Sequence, residues 1–272
     1  MTSISKLLAI TLLALCFTRF AVASPLHIMI DPGHGGVDTG ATRGTLKESE
    51  IALKVSNDLA ELLRQDPRFQ VSMTRTSDTK ISLDHRTEAA EAAKADLFLS
   101  IHLNSSRDPR ARGQEFYFQN QIPVDEESMF LASRENEEVK SSNEGDGPDA
   151  KSEPLSAKTD LRRIIEDLHR NHRVIESSEI AKILLETWLS NSTTNNVGSR
   201  AIRQAPFRVV SNIKIPSVLV EIGFISHATE GPRLAQTEHQ KDMAQRLYKG
   251  LIKFKETMDK DRAENLKSEH EI

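Results

Sequence analysis

Residues 96–102 read Asp-Leu-Phe-Leu-Ser-Ile-His, a nearly continuous apolar run that ends on a histidine. A strand with one solvated face alternates apolar and polar residues, whereas a strand of a parallel sheet is covered on both faces and is apolar throughout. Residues 217–224, Ser-Val-Leu-Val-Glu-Ile-Gly-Phe, have the same character. Both runs therefore predict buried strands of a sheet that is covered by helices.

The sequence around these two runs alternates between strand and helix patterns. Further strands are predicted at 27–30, 69–75 and 114–119. Helices are predicted over 48–64, 82–95 and around 238–256, and the first of them has apolar residues at helical spacing behind acidic residues in its first turn. This alternation indicates an α/β protein, a three-layer α/β/α domain with a mostly parallel, twisted sheet.

Residues 1–23 have the parts of a secretory signal peptide. Lys6 supplies the positive charge, residues 7–17 form the apolar core, and Ala-Val-Ala at 21–23 is a cleavage site. A membrane-spanning helix needs about 20 apolar residues, and this run is shorter and is followed by Arg19. We expect cleavage after Ala23, a periplasmic location and no stable membrane anchor afterwards.

Composition excludes several classes of function. The formal net charge of −4 and the pI of about 6.2 are not those of a general nucleic-acid binder, so no nucleic-acid partner is expected. Cys16 is the single cysteine and lies within the predicted signal peptide, which excludes disulfides, thiolate ligands and a cysteine nucleophile from the mature chain. A lipoprotein anchor at Cys16 is disfavoured, because a lipobox needs a small residue directly before its cysteine and Leu15 is larger than that. The sequence has no H-E-x-x-H or G-x-S-x-G motif, which disfavours a zinc peptidase of that type and a serine hydrolase.

The segment between residues 125 and 153 differs from the rest of the chain. It carries ten acidic residues against three basic ones, and residues 141–154 are polar and contain glycine and proline, which is typical of a flexible segment. Helical periodicity returns over 160–189. We therefore predict a helical insert at 125–189 before the last strand, within a catalytic domain at 24–258, and a charged, frayed tail at 259–272.

Four polar side chains lie at or near the ends of predicted elements, where open α/β sheets place their sites. His34 follows the first strand on a glycine-rich turn, Glu48 begins the next helix, and His102 ends its strand. Glu221 lies inside an apolar strand, where a carboxylate is costly unless it is paired, metal-bound or facing a wet cleft. Two histidines plus one carboxylate form the pattern of a catalytic zinc site. A second carboxylate would then move protons, and Glu221 suits this role because burial raises a carboxyl pKa.

Each of these residues also has a purely structural interpretation. His34 would close a tight turn, Glu48 would be a favourable first-turn acid, and His102 would be a core histidine. Glu221 is the hardest to explain in this way, because strand cores rarely tolerate an unpaired glutamate. The four residues taken together favour a site.

Five stretches of the chain resemble the zinc-dependent N-acetylmuramoyl-L-alanine amidases of the amidase-3 family, which cleave the amide between the muramic acid lactyl group and L-alanine in peptidoglycan. They are I-M-I-D-P-G-H-G-G-V-D-T-G-A (28–41), K-E-S-E-I-A-L (47–53), A-D-L-F-L-S-I-H-L-N (95–104), G-Q-E-F-Y (113–117) and P-S-V-L-V-E-I-G-F-I-S (216–226). The resemblance implies peptidoglycan as the substrate, a Zn²⁺ ion held by His34, Glu48 and His102, and Glu221 as the catalytic glutamate. Glu50 is the alternative to Glu48, which occupies the first acidic position of the motif.

The resemblance extends to the insert. Division-associated amidases of this type, which act in cell-wall remodelling and daughter-cell separation, carry a helical segment that occludes the zinc until an activator displaces it. The stretches S-R-E-N-E-E (133–138) and D-L-R-R-I-I-E-D-L (160–168) resemble parts of that segment. This implies Glu135 as the fourth zinc ligand at rest and a LytM-domain protein as the activator. The alternative is a solvated acidic loop.

Three further residues and one further function remain open. Asn104 is expected to hydrogen-bond the substrate, although polar residues at strand ends often only close turns. His169 and His172 form an H-x-x-H pair, for which a solvated helix face is favoured over a metal site because no third ligand is evident. The alternative function is a non-catalytic peptidoglycan-binding or regulatory protein, which typically loses a ligand or the catalytic glutamate.

Overall fold

A computed structural model describes residues 24–119, 125–137, 157–190, 201–211 and 213–270. The strands in these ranges are β1 (Leu26–Pro32), β2 (Thr42–Arg43), β3 (Leu46–Lys47), β4 (Phe69–Met73), β5 (Leu97–Asn104), β6 (Glu115–Gln119), β7 (Ile202–Ala205) and β8 (Ser217–Phe224). The helices are α1 (Glu48–Arg64), α2 (Leu83–Ala92), α3 (Glu126–Asn136), α4 (Ala157–Ser190), α5 (Arg208–Ser211), α6 (Glu230–Leu234) and α7 (Thr237–His270). The expected signal peptide at 1–23 and the segment at 141–154 lie outside the described residues.

Six strands form one sheet with the order β4-β1-β5-β8-β6-β7. Strands β4, β1, β5 and β8 run parallel, β6 pairs antiparallel with β8, and β7 pairs parallel with β6. Strands β5 and β8 are buried along their whole length, as their continuous apolar sequences require. The predicted α/β fold with a mostly parallel sheet is confirmed.

Helices cover both faces of the sheet. Ile28 and Ile30 belong to one hydrophobic core, which also contains the inward side chains of α1, α4 and α7. Met29, which points the other way, belongs to a second core with side chains of α2, α3 and α5. The alternation of strand side chains between the two faces thus produces three layers.

Most predicted elements are present, and two begin and end where they were predicted. Helix α1 spans Glu48–Arg64 and buries its apolar stripe, and strand β8 spans Ser217–Phe224. The predicted helix at 82–95 begins one residue later, because Ser82 is its N-cap and accepts a hydrogen bond from the His85 backbone N–H at 3.3 Å. Within the insert, α3 and α4 are helical, and the residues between them are not described.

Residues 259–270 are helical, which differs from the predicted frayed tail. Helix α7 continues from the predicted region to His270. Lys255 is buried and its Nζ lies 2.5 Å from Asp259 Oδ1, one helical turn further on, which supports the extension. In the part of the chain that the structure describes, no helix combines the length and the apolar character needed to cross a membrane.

Candidate metal centre

Four side chains converge at the carboxyl edge of the sheet. His34 lies on the loop after β1, Glu48 is the first residue of α1, and His102 lies near the end of β5. Glu135 reaches the same point from the last turn of α3. One potential ligand atom of each residue lies within 4.8 Å of the others, so the sequence-predicted set comes together in space.

The atoms by which the four residues approach one another are Nε2 of His34, Oε1 of Glu48, Nδ1 of His102 and Oε2 of Glu135. His34 Nε2 lies 3.3 Å from Glu48 Oε1 and 3.0 Å from Glu135 Oε2. His102 Nδ1 lies 3.0 Å from Glu48 Oε1 and 3.4 Å from Glu135 Oε2. A tetrahedron with metal–ligand bonds of about 2.0–2.1 Å has edges of roughly 3.3–3.4 Å. The separations therefore fit a four-coordinate metal ion.

Hydrogen bonding supports this fit. His34 Nε2 and Glu135 Oε2 are buried, yet neither atom has a hydrogen bond of acceptable geometry. Buried polar atoms are normally satisfied, and an orphaned pair at 3.0 Å indicates that both atoms point to a common centre rather than to each other. The donor set of two imidazoles and two carboxylates is one that Zn²⁺ accepts.

The neighbours of the cluster orient two of its members. Asp38 Oδ1 and Oδ2 both lie 3.0 Å from His34 Nδ1, and because a carboxylate only accepts hydrogen bonds, this nitrogen carries a proton and Nε2 is the nitrogen that faces the cluster. Glu48 accepts the backbone N–H of Leu103 at Oε1, at 2.9 Å, and that of Ala41 at Oε2, at 2.8 Å. These two backbone hydrogen bonds fix the orientation of the Glu48 carboxylate.

Two buried arginines hold the loop that carries His34. Arg86 donates to the carbonyl oxygens of Pro32 and His34, both at 2.7 Å, and Arg75 donates to those of Pro32 at 2.9 Å and Gly33 at 2.6 Å. His34 has a φ of 56°, a left-handed conformation that is uncommon for a residue with a side chain. The hydrogen bonds of the arginines stabilise this backbone conformation.

Two glycines allow the side chains to approach closely. A Cβ at Gly33 would lie 2.5 Å from the imidazole of His102. A Cβ at Gly40, where φ is +64°, would lie 2.5 Å from the imidazole of His34 and 2.6 Å from Glu48 Oε2. Gly33 of the D-P-G-H motif is therefore needed for space, and Gly40 for both space and its left-handed backbone conformation.

The histidines and carboxylates shift one another's pKa. Burial lowers the pKa of His102, but hydrogen bonds with Glu135 and Glu48 outweigh it and raise the pKa to about 9. Burial raises the pKa of Glu48, but the charge of His34 and the hydrogen bond with His102 lower it to about 2. Protons on the imidazoles thus balance the carboxylates where a metal cation otherwise would.

Glu221 is completely buried beside the cluster. It is the direct partner of His102 in the register of β5 and β8, and neither of its carboxylate oxygens has a hydrogen-bond partner among the described residues. Burial raises its pKa well above the usual range of a carboxyl group, and the charges of Glu48 and Glu135 add to this effect. Such a group takes up a proton readily, as a catalytic base must.

Glu135 is held in place by its own helix. Arg134 donates to Glu135 Oε1 from Nη2 at 2.9 Å, which leaves Oε2 for the cluster. Asn136 donates to the Pro206 carbonyl at 2.9 Å and accepts the Arg208 backbone N–H at 2.7 Å. These contacts dock the end of α3 against the edge of the site.

The remaining predicted residues lie away from the ligand cluster. Glu50 is exposed and pairs with Lys47 at 2.7 Å, so the geometry favours Glu48 over this alternative. Asn104 is buried, donates to Glu115 Oε2 at 2.8 Å and accepts the Ser105 N–H at 2.7 Å, and its contact with substrate stays a prediction. His169 and His172 are exposed on α4, as expected of a solvated helix face.

Sequence reasoning missed Asp38, Arg75 and Arg86. Asp38 follows His34 by four residues in a turn, and this spacing was the only available signal. The two arginines come from β4's end and from α2, which the sequence does not connect to the metal loop. Their role depends on tertiary contacts alone.

Two neighbouring cavities lie along α3, and the first of them adjoins the cluster. One of about 350 Å³ is lined by His34, Gly40 and Glu135, and one of about 540 Å³ is lined by Asn104, Glu127 and Phe130. Ser105 and Arg134 line both. The two cavities therefore form a trough that leads from the cluster along the helix.

Comparison with protein families gives one match that spans most of the chain. The family model described as N-acetylmuramoyl-L-alanine amidase matches residues 28–253. A Haemophilus influenzae protein described as a probable N-acetylmuramoyl-L-alanine amidase, AmiB, is 34% identical over 244 residues, which are 88% of this chain and 54% of that protein. The amidase AmiA of Salmonella typhimurium is 30% identical over 88% of this chain and 80% of its own length. The chain thus spans about half of the first relative and most of the second.

Solved structures agree with the fold. The amidase AmiC2 of Nostoc punctiforme superposes with a TM-score of 0.58 at 27% identity, over 84% of this chain and 96% of that one. The catalytic domain of the amidase CwlV of Bacillus (Paenibacillus) polymyxa superposes with a TM-score of 0.60 at 24% identity, over 84% and 97%.

Proposed function

This chain belongs to the amidase-3 family of N-acetylmuramoyl-L-alanine amidases, and we propose that it hydrolyses the amide between N-acetylmuramic acid and L-alanine in peptidoglycan with a zinc ion held by His34, Glu48 and His102. The observation that supports this most is the convergence of three ligand atoms on one point, next to a buried glutamate without hydrogen-bond partners. The alternative of a non-catalytic wall-binding protein is disfavoured because all four residues are present and assembled.

Zinc at this position would lower the pKa of a bound water to about 7 and polarise the substrate carbonyl. His34, Glu48 and His102 would hold it, and Asp38 would keep His34 in the tautomer that binds through Nε2.

Glu221 acts as the general base and then as the general acid. Its carboxylate takes the proton of the attacking water and delivers it to the nitrogen of L-alanine as the amide bond breaks. The complete burial of Glu221 keeps bulk water from competing for this proton. Asn104, which lines the trough, is our candidate for positioning the substrate.

The resting enzyme is autoinhibited by α3. Glu135 would take the fourth coordination position of the zinc ion, which the attacking water and the substrate carbonyl need, and Arg134 and Asn136 hold its carboxylate in place. The activator that displaces α3 is, by family resemblance, a LytM-domain protein. The enzyme would act in the periplasm after export by residues 1–23, in wall remodelling and daughter-cell separation.

Digestion of purified peptidoglycan by the mature protein carrying Glu135→Ala, in which α3 no longer blocks the proposed coordination position, tests the activity. We expect stem peptides with a free L-alanine amino group by mass spectrometry, and we expect them to disappear when a chelator is added and to return when Zn²⁺ is restored. Release of glycan fragments or of shorter peptides, or cleavage that persists in the metal-stripped protein, would contradict the proposal.

A further inference from the structure

The guanidinium of Arg203 on β7 connects α3 to the sheet. Its Nε lies 3.3 Å from Glu115 Oε1, and its Nη1 donates to the Tyr117 hydroxyl at 3.3 Å, so that strand β6 holds one edge of the group. Its Nη2 donates to Glu127 Oε2 on α3 at 3.0 Å. The Arg203 side chain is 5% exposed and that of Glu127 is 50% exposed, so α3 covers the guanidinium with a carboxylate that solvent reaches.

Arg203 lies on the same face of the sheet as the metal cluster, three strands away and two residues along. His102 pairs with Glu221, Glu221 pairs with Glu115, and Tyr117, two residues further along β6, pairs with Arg203. Three strand spacings of about 4.8 Å and the two-residue offset place the backbone of Arg203 roughly 16 Å from that of His102.

Helix α3 brings one carboxylate to the metal cluster and another to Arg203. Glu127 and Glu135 are eight residues apart in the helix, which corresponds to about 12 Å. Glu135 meets the metal ligands and Glu127 meets Arg203. The trough lies along this helix, with Glu135 lining one of its two cavities and Glu127, which covers Arg203, lining the other.

An extended peptide covers about 3.3–3.6 Å per residue, so that about 12 Å corresponds to three or four residues. A peptide whose first amide lies at the cluster would therefore bring its third or fourth residue to Arg203. Arginine binds carboxylates through two parallel hydrogen bonds, and the contacts with Glu115 and Tyr117 already orient this guanidinium.

We propose that Arg203 determines substrate specificity by binding a carboxylate that the peptide carries about three residues beyond the scissile amide, and that Glu127 occupies this position while α3 is docked. In the docked helix, Glu135 takes the position of the scissile amide at the cluster and Glu127 takes that of the substrate carboxylate at Arg203. This inference rests on the proposed amidase function and names the part of the substrate that the enzyme recognises.

The test uses two soluble substrates, an N-acetylmuramoyl tripeptide with a free terminal carboxylate and the same compound as the terminal carboxamide. Both are given to the full chain carrying Glu135→Ala, with Arg203 intact and with Arg203→Gln. We expect the carboxamide to lower kcat/KM about ten- to hundredfold when Arg203 is intact and less than about twofold when it is replaced. An equal effect of the carboxamide in the two chains would overturn the inference.

Equilibrium binding separates this inference from the proposed function. Calorimetry of the two compounds with the same chains carrying Glu221→Gln compares their affinities without turnover. Absence of hydrolysis with a retained, Arg203-dependent preference for the carboxylate would contradict the amidase function alone. Hydrolysis without that preference would contradict the role of Arg203 alone.

Glu127→Gln provides a second variant that leaves the buried groups intact. It removes the competing carboxylate, so we expect KM for the free carboxylate compound to fall severalfold, with no change for the carboxamide. Glu126→Gln removes the same charge from the same turn, makes no ion pair with Arg203, and is the matched control. An identical KM in the Glu126 and Glu127 variants would count against competition at Arg203.

Discussion

His102 and Glu221 are direct partners in the register of β5 and β8, and the register of the pair shifts immediately beyond them. Paired residues of neighbouring strands point to the same face, so a metal-binding imidazole and a buried carboxylate are held side by side by backbone hydrogen bonds. Neither depends on a flexible loop. This arrangement gives the proposed base a fixed position relative to the proposed ion.

Replacement of the proposed base should abolish catalysis but leave the metal in place. We expect Glu221→Gln to lower kcat/KM by about 10²–10⁴-fold, because the amide has nearly the same shape but accepts no proton. Zinc content, measured by elemental analysis of the reconstituted variant, should equal that of the parent. Turnover within a factor of about two of the parent would exclude Glu221 as the base.

The same substitution should stabilise the metal-free protein. The folded-state pKa of Glu221 is raised, so burial of its charged form costs stability as pH rises above the unfolded-state value of 4.5, and this cost is absent below that pH. We expect Glu221→Gln to raise Tm at about pH 8, by roughly 2–4 °C per kcal/mol regained. The difference should vanish near pH 4. Glu61→Gln, at an exposed position of α1, is the control and should leave Tm unchanged.

Opening the fourth coordination position should raise basal activity. Glu135→Ala removes the carboxylate that faces His34 and His102, and we expect hydrolysis of purified sacculi without an activator to increase by at least about tenfold. Glu137→Ala is the matched control, because Glu137 is exposed, lies two residues further on and is outside the ligand cluster. A rate that falls to zero in a folded Glu135→Ala chain would show that Glu135 serves catalysis rather than inhibition.

Two glycines separate backbone strain from crowding at the metal. Gly40 and Gly44 have φ angles of +64° and +59°, so alanine at either position costs roughly 1–2 kcal/mol in the left-handed conformation. Only at Gly40 would the new Cβ meet His34 and Glu48, since no atom lies within 4 Å of the Cβ position at Gly44. We expect Gly40→Ala to weaken zinc binding at least about a hundredfold and Gly44→Ala to leave it unchanged, as measured by chelator competition. Equal affinities would refute the role of Gly40.

Zinc affinity should depend steeply on pH. In the metal-free protein the pKa of His102 is about 9 and that of Glu48 about 2, so between these values binding must displace the imidazole proton but not a carboxyl proton. We expect the association constant to rise about tenfold or more per pH unit from about pH 6, and less steeply above about pH 9, where His102 has lost its proton but the raised pKa of His34 keeps its imidazole protonated. Chelator competition across this range measures it. A flat profile would contradict protonated imidazoles in the metal-free cluster.

Elements with strong periodicity could be predicted from the sequence. The apolar stripe of α1 and the continuous run of β8 specify their own bounds, because burial of these residues is the main stabilising term for each element. Strand β7, Ile-Arg-Gln-Ala, was not predicted because two of its four residues are polar. It is a strand only because β6 offers it backbone partners.

The candidate site likewise contains residues that the sequence predicts and residues that it does not. The histidines and glutamates that stand out against apolar surroundings or glycine-rich turns could be named from the sequence. The position of Glu135 at the cluster could be predicted only from the family resemblance, since nothing in the residues of α3 specifies where the helix docks. The supporting contacts of Asp38, Arg75 and Arg86 come from segments far apart in the chain or from turn geometry, which local patterns do not encode.

The carbonyl contacts of Arg75 and Arg86 bear on the order in which the enzyme matures. Four guanidinium hydrogen bonds tie the loop of His34 to Arg75 and Arg86, and a large hydrophobic core underlies the sheet. A small zinc finger needs its ion to fold, whereas these hydrogen bonds and this core hold the loop through groups other than the metal-ligand atoms. Folding therefore precedes metallation, and stripped enzyme should regain its cofactor from dilute zinc without passing through an unfolded state.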